Sequence, residues 1–484
     1  GPTSKNNPDQ ITLLAIGPNA HIQLPANGSY GVTGDNSSIF RVQDGASFDG
    51  SGMTLASNGN LSTAVLGSGD NTKVSTGSAI FNLGDNGIGL RIEGAAQGII
   101  DSATTFNMNG VHSIGAQVQG NRTDLTGNIT NSTYFPYTNT LLTNNANLSG
   151  TQSQQVGFIA SSQGQLINNG DITLTGSGST GMAALGANAT NNGTVSISNG
   201  STGLYAEGHS YSVAARITND GTLNVTAGNA SAEQPSMGGV AAGDVGYFYQ
   251  NGTINLYGEH ALGALAVDGG RVVIGANSVV NAHDANQVGY AALDGSSSIS
   301  SSESLSSNSD QLTLLRAGNG GVINNQGSIN LKGANSVGVS LIDNGYLYNS
   351  GVIQTTAGVA LEATSGTGRY YQNSGQIYAN GGTAAIRVGN GAALDIVGDG
   401  QGEQDTSYSS SIFAQGADTV LLDTGAQGFS ADHVVLSGTG TLINNRAETS
   451  NIALNYVRLD INDGIGIRSA TSFDPDGHAY INVS

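Results

Sequence analysis

The chain has 484 residues, a formal net charge of −20, no Cys, no Trp, and charged residues at only 10% of positions. Without Cys there is no disulfide stapling and no cysteine chemistry. An acidic chain whose only lysines are Lys5, Lys73 and Lys332 lacks the clustered cations that nucleic-acid binding or docking on an anionic membrane requires.

Taken in chain order, the opening Gly1-Pro2 reads as a scar left by removal of an affinity tag, so a signal or anchor is expected to have been removed from either end. Residues 1–35 form a leader and cap, with Ile11, Leu13, Leu14, Ile16, Ile22 and Leu24 covering an otherwise open strand edge or supplying the first incomplete rungs. From residue 36 to 484 a short phrase recurs: Gly, apolar, any, apolar, then Gly or an acid. It reads Gly89-Leu90-Arg91-Ile92-Glu93, Gly115-Ala116-Gln117-Val118-Gln119, Gly203-Leu204-Tyr205-Ala206-Glu207 and Gly263-Ala264-Leu265-Ala266-Val267-Asp268, with spacings such as 26 from Gly89 to Gly115 and 24 from Gly157 to Gly181. A fixed period of this size is the signature of a solenoid, whose units bury apolar surface only against their neighbours.

A second phrase runs half a unit out of phase. In Asn168-Asn169-Gly170-Asp171-Ile172-Thr173-Leu174, Asn191-Asn192-Gly193-Thr194-Val195 and Asn325-Gln326-Gly327-Ser328-Ile329, apolar and polar residues alternate after an Asn/Gly corner, and another apolar pair precedes it, as in Leu166-Ile167. Three short strands per unit predict a three-stranded parallel β-helix of roughly 15–18 rungs. The Gly and Asn corners are expected to use left-handed backbone, and equivalent Asn side chains to hydrogen-bond in ladders. All seven Pro fall outside the repeats, as a ladder needing amide donors demands.

Insertions are expected near 121–155, 228–237 and 398–411, where function-bearing surface loops would lie. Ser296 to Asp310 fits one normal period instead and predicts a weak, Ser-rich rung with Ile299 and Leu305 inward. The segment from Ile452 to Ile467 still alternates.

The candidate binding feature is an acidic row at the end of the first strand: Asp44, Glu93, Glu207, Asp244, Asp268, Asp294, Asp343, Glu362 and Asp423. Rung spacing would place these carboxylates close together along one edge, either as a solvated corner or as a polar binding track able to hold Ca²⁺. Changing Asp244, Asp268 and Asp294 together tests the track. Beside it the outward strip carries Arg41, Arg91, Arg316 and Arg387 toward the ends, expected to make weak surface pairs with neighbouring acids rather than to bind anions. In the middle it carries Ile159, Ala183, Tyr205, Ala241, Leu265 and Ala291, either an interface or a face covered by a loop. The tyrosines, 17 in all, can stack on sugars or anchor a protein partner where exposed. Tyr247, Tyr249, Tyr346, Tyr348, Tyr370 and Tyr371 alternate with strand period, however, and at least half are expected to be core or self-stacking residues. No catalytic residues and no dedicated metal ligands stand out. The seven His are dispersed, and the Asp399-to-Asp405 and Asp474-Pro475-Asp476-Gly477 segments lack full calcium-loop spacing. An Asp268/Asp294 pair could imitate the carboxylates of a polysaccharide-degrading enzyme, but no base sits predictably opposite.

The repeating phrases, exemplified by Ile167 to Gly176 followed by Ser179-Thr180-Gly181-Met182-Ala183-Ala184, resemble the passenger domains of bacterial autotransporter adhesins, of the AIDA type and the matrix- or glycosaminoglycan-binding enterobacterial kind. The resemblance covers nearly the whole chain and implies a secreted, right-handed parallel β-helix held at the outer membrane by a C-terminal β-barrel that this sequence lacks. It implies partners among host matrix glycoproteins and glycans, or self-association that drives cell aggregation and biofilm. These adhesins share no short binding motif, so the residues favoured for ligand contact, Tyr205, Glu207, Asp244, Asp268, Asp294, Arg316, Asp343 and Glu362, rest on the stacking argument alone.

Overall fold

Period-two alternation interrupted every few residues by Gly, Asn or Ser turns leaves no room for a helical period, and the computed structural model is accordingly all-β, its parallel strands stacked as a solenoid of about 17 turns. The structure describes residues 3–5, 9–131, 136–399, 411–416, 419–447, 452–469 and 479–483. Two compact units divide the chain, Gly1–Gly252 and Thr253–Ser484.

In the first unit a representative rung comprises Ile88–Glu93, Gln97–Ile100 and Thr105–Met108. Each strand pairs in parallel with its counterpart one rung on, as in Ile88↔Ile114, Gly98↔Leu142 and Phe106↔Leu148. The three strands define a first, second and third sheet. Alternation decides what is buried: in Gln97–Ile100, Gly98 and Ile100 point in while Gln97 and Ile99 are exposed. One inward file of the first sheet runs Phe40, Val65, Leu90, Ala116, Phe158, Met182 and Leu204. Large and small residues complement one another along it, Ala116 lying between Leu90 and Phe158. Each fully buried Leu or Phe contributes on the order of 2 kcal/mol of transfer free energy, and the Phe81 and Phe106 rings stack at 5.2 Å.

Glycines of both repeated phrases are explained by close approach. A Cβ on Gly89, Gly115, Gly157 or Gly181 would lie 2.4–2.5 Å from the carbonyl oxygen of the corresponding glycine one rung on. At the Asn/Gly corners a Cβ on Gly193 would sit 2.1 Å from the Gly170 oxygen. The glycines of this Asn/Gly phrase do not have positive φ; the left-handed corners expected from the sequence lie elsewhere, at other glycines such as Gly45, Gly69 and Gly94 and at Asn, Asp and Gln residues including Asp44, Asp268 and Asp343. Short polar side chains tolerate that conformation by bonding locally.

The expected Asn ladder is present and lies inside the wall. Asn144 donates to Asn168 at 2.7 Å, Asn168 to Asn191 at 2.8 Å, Asn191 to Asn219 at 2.9 Å and Asn219 to Gln250 Oε1 at 3.0 Å. Each amide also donates to a carbonyl two residues on, such as Gly170 O at 2.8 Å. Buried amides are thus satisfied in a file. A second, exposed ladder joins Asn192 to Asn169 and Asn169 to Asn145.

Ile11–Ile16, His21–Gln23 and Ser29–Val32 are in-register strands of a rung, so the rung alternative for this segment describes it better than a separate cap. The longest excursion runs from 120 to 140 rather than to 155, because Leu141–Asn144 and Leu148–Gly150 are regular strands. Residues 228–235 loop between Thr222–Thr226 and Ser236–Ala242. A further loop at 208–214, between Thr202–Glu207 and Ala215–Asn219, has no counterpart in the expected insertions. Residues 400–410 of the 398–411 insertion, together with Tyr134, Phe135 and the Asp474-to-Gly477 turn, lie outside the described residues.

In the second unit the Ser-rich segment is the expected rung: Ser298–Ser301 and Leu305–Ser307 are strands, with Ile299 and Leu305 buried. Here the third sheet divides. Thr253–Tyr257 pairs with Val279–Ala282, but the next third-sheet strand, Leu305–Ser307, starts a separate eight-stranded sheet.

Candidate functional site

The acidic row is not one row. Registers place the candidates in several files because the Gly from which they were counted is not always the structural equivalent. In the first unit Thr202 faces Met237, so Val240 shares the file of Tyr205 and Ala241 points inward. Glu93 and Glu207 end their strands in register with Gln119 and Leu185, whereas Asp44 and Asp244 lie beyond their strands in the corners. In the second unit Glu362 and Asp423 belong to the arginine file, Arg316, Ser340, Glu362, Arg387, Asp423 and Asn444. Ala360 and Ala385 occupy the place of Gly338 in these rungs, so Glu362 and Asp423 fall in the arginine file.

Where acids do occur, they are used locally. Tyr205 donates its hydroxyl to Glu207 Oε2 at 2.9 Å, His209 Nε2 lies 3.1 Å from Oε1, and these bonds hold the Glu207 carboxyl below its usual range, His209 more than Tyr205. Asp244 accepts the Ser210 amide at 2.8 Å and is likewise lowered by Ser210. Tyr205, Glu207 and Asp244 are thus brought together as the footing of the 208–214 loop, on which Tyr211 stacks against His209 at 5.0 Å.

In the second unit the amide of Asp268 donates to Asp294 Oδ2 at 2.6 Å. Asp294 Oδ1 takes the Ser297 hydroxyl at 2.7 Å and the Ser296 amide at 3.1 Å. Burial raises the Asp294 pKa, but bonds from Ser297, Asp268 and Ser296 outweigh it and leave it lowered. A carboxylate so occupied is poorly suited to donate a proton. Asp343 stands apart, its amide bonded to Ser365 O. Among the described residues no three His, Asp or Glu side chains gather within reach of one ion.

The arginine strip is partly paired and partly covered, and Arg316 Nε is buried with no hydrogen-bond partner among the described residues. Arg387 Nε donates to Glu362 at 3.0 Å, and its Nη2 also bonds that carboxylate. Burial lowers the Arg316 pKa, partly opposed by Glu362. In the first unit a loop lies over the arginine end of the strip: Arg41 donates to the carbonyls of Thr123 at 2.6 Å and Asp124 at 2.8 Å, and Arg122 pairs with Asp44 at 2.6 Å. Residues 121–131 are therefore a strap, and Glu93 beneath it is fully buried.

One feature that remains open to a ligand is aromatic. On the outer face of the second sheet of the second unit, Tyr346 faces Arg369 and Tyr348 faces Tyr371 one rung on. Tyr348 and Tyr371 stack at 4.8 Å and 9°, Tyr346 and Tyr371 at 6.5 Å and 4°. Arg369 lies 5.3 Å over the Tyr346 ring and donates to its hydroxyl at 2.7 Å. Its Nε is 3.9 Å from Asp395. All four residues are half-buried on a flat strand face, with Tyr370 between them pointing into the core. The strand-period alternation of these tyrosines was legible in the sequence, but Arg369 was missed because only register places it beside Tyr346. Compared with known proteins, the chain matches no family model, no curated protein sequence and no solved structure.

Proposed function

We propose that the chain is the passenger domain of a bacterial autotransporter adhesin, displayed at the outer surface of the cell, whose side wall holds host matrix glycoproteins or glycans. The observation that carries this reading is the Tyr346/Tyr348/Tyr371 stack with Arg369 beside it. Parallel rings fixed on a flat β-face form a rigid platform for sugar faces, and a cation and phenolic hydroxyls at its edge supply directional hydrogen bonds. Arg369, Arg387 and Arg446 already have carboxylate neighbours. A net charge of −20 further disfavours sulfated polyanions relative to neutral or amino sugars. Weak contacts repeated at rung spacing add through multivalency.

The test is an array of matrix proteins and glycans, including neutral, amino and sulfated glycosaminoglycan chains, probed with the chain and with Tyr348→Ala/Tyr371→Ala. Binding that falls at least about tenfold in the double variant supports the platform; an array with no binder overturns the reading.

A second reading, self-association between cells, is favoured by the exposed Asn145/Asn169/Asn192 ladder, whose amides retain donors and acceptors for a facing copy. Concentration-dependent dimers in sedimentation, abolished by Asn169→Ala, would support it.

A further inference from the structure

Within the second unit, the division of the third sheet leaves a cleft of about 920 Å³ over the outward side chains of Val279–Ala282 and Leu305–Ser307. We propose that this cleft binds a short, neutral oligosaccharide. The inference rests on the glycan-binding reading only for its class of ligand, since the tyrosine platform lies on a different sheet.

Sequence made the cleft. The Ser-rich rung supplies two inward apolar side chains, Ile299 and Leu305, and its outward positions carry Ser304, Ser306 and Asn308. Strand pairing is correspondingly lost on one side: the amide of Ala282 is satisfied by the Ser309 hydroxyl at 2.9 Å rather than by a neighbouring strand.

The lining decides the ligand. Asn281, Ser306, Asn308 and Gln311 present hydroxyl and amide groups that both donate and accept, matching sugar hydroxyls. His283 lines the same cleft and stacks on Tyr257 at 4.5 Å and 3°, placing a flat aromatic pair at its rim. The acids there are engaged in turns, Asp284 accepting the Gly258 amide at 2.7 Å and Asp310 the Ala334 amide at 2.6 Å. Their charge opposes an anionic ligand and leaves a neutral one unaffected. A volume of this order suits a small ligand.

The alternative occupant, a β-strand completing both edges, is too wide. Inserted between the two strands it would hold their backbones about 9.5 Å apart, whereas their Cα atoms approach within 8 Å.

The test titrates the full chain with tetrasaccharides of β1,4-linked glucose, α1,4-linked glucose and β1,4-linked N-acetylglucosamine. Calorimetry is combined with hydrogen exchange at residues 279–282 and 304–311. At least one sugar is expected to slow exchange there, with affinity falling about tenfold in Ser306→Trp, which fills the cleft, and in Asn308→Ala/Gln311→Ala, which keeps its volume. Tyr348→Ala/Tyr371→Ala should leave this protection intact, so failure of the platform and failure of the cleft are separable. No protection by any of the three sugars at about 10 mM overturns the proposal. So does unchanged affinity in both cleft variants, or protection of the same residues by dimerisation without sugar.

Discussion

Arg41 and Glu93, two rungs apart in the first sheet, meet at 3.8 Å beneath residues 121–131 and close off that part of the wall. Arg91 completes the cluster at 3.2 Å, and the amide and hydroxyl of Thr123 bond Glu93 Oε1 at 3.0 and 2.7 Å. Glu93 is therefore a fastener for the strap. Burial lowers the pKa of Arg41 and Glu93 opposes that shift. Glu93→Ala leaves two arginines without their counter-charge, and the expected loss is about 3–5 kcal/mol in denaturant unfolding, with early exchange of the 121–131 amides. A loss below about 1 kcal/mol would mean that the strap is held elsewhere.

The strap also predicts an acid response. Asp124 Oδ1 accepts the Thr126 hydroxyl at 2.8 Å, the Thr126 amide at 2.8 Å and the Asn128 amide at 3.0 Å. The Thr126 hydroxyl, then the two amides, hold its carboxyl at about 2 against an ordinary value of 3.8. A folded pKa below the unfolded one stabilises the turn above the ordinary value, and that contribution is lost as pH falls toward 2. Exchange at 124–128 should therefore accelerate, relative to other exposed turns, as pH drops through this window. Asp124→Asn should abolish the pH-dependent part. An unchanged profile in the variant would assign the response to another group.

Much of the scaffold was legible because period-two alternation, the rung period and the Asn files are written in adjacent residues. Ile299 and Leu305 could be placed inward for that reason. Lateral position was harder to read. Counting from Gly358 puts Glu362 in an acidic corner, yet Gly358 itself is a corner residue whose Cβ would meet the Ser336 oxygen at 2.0 Å. The strand glycine's place is taken by Ala360. The strap reads as an insertion in the sequence, but its docking on Arg41 does not, since Arg41 and Thr123 are 82 residues apart and no local pattern links them.

At the Asn/Gly corners, backbone contact rather than turn conformation makes glycines such as Gly193 indispensable. Gly193→Ala should destabilise by about 1–3 kcal/mol, because its methyl would meet a carbonyl oxygen that the rung below cannot withdraw. Gly295→Ala is the control. Its nearest neighbour would be the Asn319 oxygen at 3.7 Å, and it should be neutral or stabilising by a few tenths of a kcal/mol. Equal losses at both sites would refute the distinction.

The Ser-rich rung also marks where an Asn file stops short. Asn325 donates to Asn349 at 2.8 Å, but Asn325 Oδ1 is buried with no hydrogen-bond partner among the described residues. The residue in register one rung before it is Ser301, whose buried hydroxyl likewise has no partner among them. In the first unit the same position carries an amide whose Nδ2 bonds the next residue of the file, as Asn144 does to Asn168. Ser301→Asn should extend the file by one bond, satisfying an orphaned acceptor, and raise stability by about 1 kcal/mol. Ser301→Ala removes one orphan and leaves the other, so its gain should be smaller. Denaturant midpoints at constant m-value measure both. If Ser301→Asn is the less stable of the two, the rung lacks room for the longer side chain, and its weakness comes from packing rather than from the missing bond.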